Sequence, residues 1–72
     1  MTTLLTNADK LSVVNQHIKG IDFQLYNLEL DLLEANAEAT PNAEKISSLN
    51  SRTTSLNRKR VALATEAAEL EE

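Results

Sequence analysis

Between Ile18 and Ala39 the chain is apolar on two nearly opposite faces of one helix, a pattern few folds can accommodate. One face carries Ile18, Ile21, Leu25, Leu28, Leu32, Ala35 and Ala39 at alternating steps of three and four, the spacing of a coiled-coil seam. The other carries Phe23, Tyr26, Leu30, Leu33 and Ala37 at the same spacing, centred roughly 150° away by the angular step of a heptad. A single partner helix covers one of these faces and leaves the other. The pattern therefore predicts a helical protein that makes a second contact through Phe23, Tyr26, Leu30, Leu33 and Ala37.

The seam repeat extends upstream through Leu4, Leu11 and Val14, with Asn7 the one break in it. Thr6 followed by Asp9 matches a helix start in which the hydroxyl accepts from an exposed backbone N–H and the carboxylate favours the positive helix end, with Asn7 the rival cap. A first helix over 7–39 follows. At Thr40-Pro41 the spacing predicts a break and a restart: Thr40 caps, and Pro41 opens the second helix, where its missing N–H is not needed. The body of that helix runs over 42–70 with a seam of Ile46, Leu49, Thr53, Leu56, Arg60, Leu63, Ala67 and Leu70, and a polar outer face.

The second seam keeps the phase of the first, so the pattern also admits one straight helix through Pro41. Charge favours the hairpin. From Ile21 to Glu44 every charged residue is acidic, and from Lys45 to Thr65 every one is basic. Antiparallel folding lays one stretch on the other, pairing Ala35 with Ile46, Leu28 with Thr53, Ile21 with Arg60 and Leu11 with Leu70. Glu38 then flanks Lys45, Asp31 flanks Arg52, His17 approaches Glu66, and the Arg60 guanidinium reaches toward Asp22. Exposed pairs of this kind are worth about 0.2 to 1 kcal/mol each and select the register more than they stabilise it. An interior proline costs a straight helix about 3 kcal/mol. The expected fold is all-α, a single antiparallel two-helix coiled-coil hairpin over 1–72, completed by oligomerisation or a partner.

Size supports the need for that partner. A chain of 72 residues has little core of its own, and chains this small commonly rely on disulfides, a metal or assembly. Cysteine is absent and His17 is the one histidine, which leaves no ligand set for a structural zinc and no His or Cys pair for catalysis. One glycine rules out a glycine-rich phosphate loop. No enzymatic activity, cofactor or metal is expected. The basic run Arg58-Lys59-Arg60 is split by helical geometry and has no aromatic beside it for base stacking, and a net charge of −4 opposes binding to nucleic acid. Acidic residues border the second stripe where a membrane-binding helix carries basic ones. No signal-peptide pattern opens the chain and no apolar run is long enough to span a bilayer, so the expected location is the cytoplasm of the cell that makes it.

The opening Met1-Thr2-Thr3-Leu4-Leu5-Thr6-Asn7-Ala8-Asp9-Lys10-Leu11, continuing through Val13-Val14-Asn15-Gln16-His17-Ile18-Lys19, resembles short helical proteins encoded by tailed bacteriophages of cyanobacteria. Beyond it the likeness is one of pattern, a heptad helix, a Pro-Asn-Ala-Glu turn and a second heptad helix. The resemblance implies a viral setting and brings no catalytic or binding motif with it. Together these readings predict a non-enzymatic structural or assembly subunit, self-associating or docked on a larger particle such as a virion. The alternative is a regulatory adaptor that inserts the same stripe into a groove of a host or partner protein. A small nucleic-acid binder stands behind both.

Overall fold

A computed structural model describes residues 4–71. It contains two helices, α1 (Asn7–Ala37) and α2 (Ala43–Leu70), folded back on each other into a hairpin that measures 56 × 23 × 14 Å. Neither helix is long and apolar enough to cross a membrane.

The start of α1 follows from its first residues. Thr6 Oγ1 accepts from the Asp9 N–H at 3.1 Å, and Asp9 Oδ2 accepts from the Thr6 N–H at 3.1 Å, so two backbone donors that the helix leaves unpaired are satisfied reciprocally. Leu4 precedes the helix and is exposed rather than part of the seam.

The turn differs from expectation. The first helix ends at Ala37, not at 39, with Glu38 already extended, and Ala39 is exposed outside the seam. The second helix starts at Ala43, and its cap is Asn42 rather than Thr40. Asn42 Oδ1 accepts from the Glu44 and Lys45 N–H groups at 3.0 and 3.1 Å. One amide oxygen thus serves two unpaired donors, and Asn is among the best capping residues. Pro41 lies in the connection. Proline disfavours helical backbone in the residue before it, so Thr40-Pro41 serves to separate the helices instead of opening the second.

Between the helices the seam holds at every layer. Leu11, Val14, Ile18, Ile21, Leu25, Leu28, Leu32 and Ala35 of α1, and all eight expected positions of α2, are buried or half-buried. Beyond these seam positions, Lys10 is the one residue of the described chain that is not exposed. The tightest part lies near the turn, where Leu28, Ala35 and Leu49 are buried and Leu32, Ile46 and Leu56 pack against them. Ala35 is only 1% exposed. Thr53, the polar member of the seam, donates its hydroxyl to Leu49 O at 3.0 Å and so leaves no unpaired group inside.

One charged contact joins the two helices among the described residues. Arg60 Nε donates to Asp22 Oδ1 at 2.7 Å, and a second guanidinium nitrogen donates to Oδ2 at 3.3 Å. The expected pairs Glu38–Lys45, Asp31–Arg52 and His17–Glu66 do not close; among the described residues the Asp22–Arg60 ion pair does. Long exposed side chains lose rotamer freedom on pairing and gain little in water. Their charges nonetheless share an edge, since Asp31, Glu34, Lys45 and Arg52 line one shallow groove between the helices.

Candidate protein interface

With the seam spent on α2, the second apolar row of α1 faces outward. Phe23 is 64% exposed, Tyr26 59%, Leu33 63% and Leu30 37%. Ala37, the last residue of the helix, is exposed as well. All five predicted residues therefore lie along one side of one rigid helix, about 21 Å from first to last at 1.5 Å per residue. A row of adjacent apolar side chains differs from the scattered ones found on any surface, and such patches mark interaction sites.

The two aromatics give the row its strongest feature. Phe23 and Tyr26 are three apart and therefore neighbours on the helix surface. With Lys19 and Asp22 they line a shallow recess at the end of the row nearer the middle of α1. Aromatic rings bury a large area at small entropic cost, and the Tyr26 hydroxyl suits a polar rim.

Among the described residues the other exposed large apolar side chains are Leu4 and Leu5, ahead of α1, and the isolated Val13 and Val61, 45% and 67% exposed. Val61 is the residue that sequence reading passed over, since it interrupts a face of α2 that otherwise reads as polar; Arg58, three residues before it, and Thr65, four after, adjoin it in the helical repeat. Among the described residues no group of three or more side chains is placed to hold a metal ion. His17 is exposed, in a shallow recess beside Gln16, Gly20 and Gln24, with no acidic or thiol side chain among its lining.

The electrostatics of the hairpin centre on Asp22 and Arg60. Both are about half-exposed. The hydrogen bond from Arg60, reinforced by its charge and opposed in part by desolvation, holds the Asp22 carboxyl below the usual carboxylate value. The same contact raises Arg60 further above its already high value. The pair is thus ionised across the neutral range.

Fold and surface together define a class, the all-α helical hairpin with one covered and one uncovered apolar face on its first helix. No family model matches the chain, and comparison with curated proteins and with solved structures also finds no match.

Proposed function

We propose that the chain is a non-enzymatic structural subunit that joins a larger protein assembly by burying the stripe of Phe23, Tyr26, Leu30, Leu33 and Ala37. The observation that supports this reading is the contrast within α1: its seam positions are covered by α2, whereas three of the four large residues of the stripe are more than half exposed. Removing apolar surface from water is worth about 25 cal/mol per Å², and two aromatics with two leucines supply enough of it to drive docking. The mechanism is association without a chemical step. From the resemblance of residues 1–19 to phage-encoded proteins we take the setting to be a virion.

Incorporation into purified particles of the source tests the reading, with Phe23→Ser and Val61→Ser compared against the unaltered chain. Phe23→Ser is expected to abolish stoichiometric recovery while Val61→Ser preserves it. Equal recovery of all three overturns the proposal.

A further inference from the structure

The uncovered stripe has an acidic border. Asp22 and Glu29 run along one side of it and Glu34 along the other, and no basic residue occurs from Ile21 to Glu44; Lys19 lies at the end of the row beside Phe23 and Tyr26, and Lys45 and Arg52 of α2 share a groove with Glu34. All three carboxylates are exposed. Asp22 is engaged by Arg60, whereas Glu29 and Glu34 make no ion pair among the described residues.

A second copy of the chain matches this border poorly. In antiparallel packing of stripe on stripe, with Phe23 against Leu33 and Tyr26 against Leu30, the heptad geometry sets Glu29 beside Glu29 of the other copy. Parallel packing sets Glu29 beside Glu34 instead. These border positions decide which helices pair, and like charges there oppose association.

Resting on the reading of the stripe as an interface, we propose that its occupant is an amphipathic helix of a different protein whose apolar seam is bordered by lysine or arginine. The stripe accommodates about four turns of such a helix, from its 21 Å length and a 5.4 Å pitch. Apolar burial supplies the affinity and the border supplies the choice of partner. A lysine or arginine that meets Glu29 or Glu34 replaces a repulsive contact with an attractive one.

Two synthetic helical peptides with one shared leucine and phenylalanine seam test this, one bordered by lysine and the other by glutamate. Binding to the full chain is read from the fluorescence of Tyr26, its one tyrosine, with molar mass by light scattering on the same samples. The lysine peptide is expected to bind at least about tenfold more tightly at low ionic strength, with the preference shrinking as salt screens the border. Glu29→Lys combined with Glu34→Lys is expected to reverse the preference, and Phe23→Ser to abolish binding of both peptides. Equal affinity for the two peptides, or a homodimer of the chain at the same concentrations that Phe23→Ser dissolves, overturns the cationic partner and leaves the stripe as an interface. Unaltered binding by Phe23→Ser overturns both.

Discussion

Arg60 Nε lies 2.7 Å from Asp22 Oδ1, and this contact joins residues 38 positions apart at the layer where a cation replaces an apolar seam residue. The Arg60 stem occupies the seam position opposite Ile21 while its guanidinium turns outward. A heptad seam tolerates slippage by a whole repeat, because leucines look alike to one another. A fork-shaped donor that meets one carboxylate at one layer removes that ambiguity.

Acid is expected to remove this contribution. Folding lowers the Asp22 carboxyl below its ordinary value, so the native state favours the ionised form. The stabilisation is complete above the ordinary carboxylate value and disappears as pH falls through the depressed native one. Thermal melts of the unaltered chain and Asp22→Asn should therefore differ at neutral pH, and the difference should vanish below that window. A difference that persists in strong acid contradicts this role.

The cap at the turn gives a discriminating pair of substitutions. Asn42→Ala removes the acceptor for two N–H groups and is expected to cost about 1 kcal/mol. Thr40→Ala, which removes no hydrogen bond of the described chain, should leave stability within about 0.5 kcal/mol. Urea titration followed by circular dichroism measures both.

Gly20 lies on the exposed side of α1, and a Cβ built there meets nothing within 4 Å. Gly20→Ala is expected to stabilise the hairpin by up to about 1 kcal/mol through helix propensity and a less flexible unfolded chain. A lower melting temperature for this variant shows that the outward placement of residue 20 is wrong.

Core and stripe should separate cleanly. Leu28, buried at the tightest part of the seam, is expected to cost about 2 to 5 kcal/mol on truncation to Ala, a large share of what so small a domain has. Phe23→Ser, on the outer face, should leave helicity and melting temperature nearly unchanged. A Phe23→Ser chain that unfolds places Phe23 in the core of the hairpin.

The seam was legible because burial in a two-helix hairpin follows a single period. Steps of three and four picked out the covered positions, Leu11 to Ala35 on α1 and Ile46 to Leu70 on α2, and the charge blocks on either side of the turn chose antiparallel folding. The Asp22–Arg60 contact was also foreseeable, since an arginine in a seam must turn its head toward the nearest carboxylate. The turn was not. Thr40-Pro41 reads as the start of a helix, whereas the cap is Asn42, whose side chain reaches two N–H groups at once. The outer ion pairs failed for a related reason, because proximity of opposite charges in sequence register does not overcome the entropy of long exposed side chains. The five stripe residues are those the repeat named, and periodicity placed them on the outer face without saying what covers them.

Hydroxyl-radical footprinting of the free chain and of the assembly recovered from its native source tests the central claim most directly. It reads Phe23, Tyr26 and Leu33 on the stripe, with Val61 of α2 as an exposed reference in the same molecule. The stripe residues should react readily in the free chain and become protected in the assembly, while Val61 keeps its reactivity. Phe23 and Tyr26 that react equally in both states, or protection confined to Val61, contradict docking through this face.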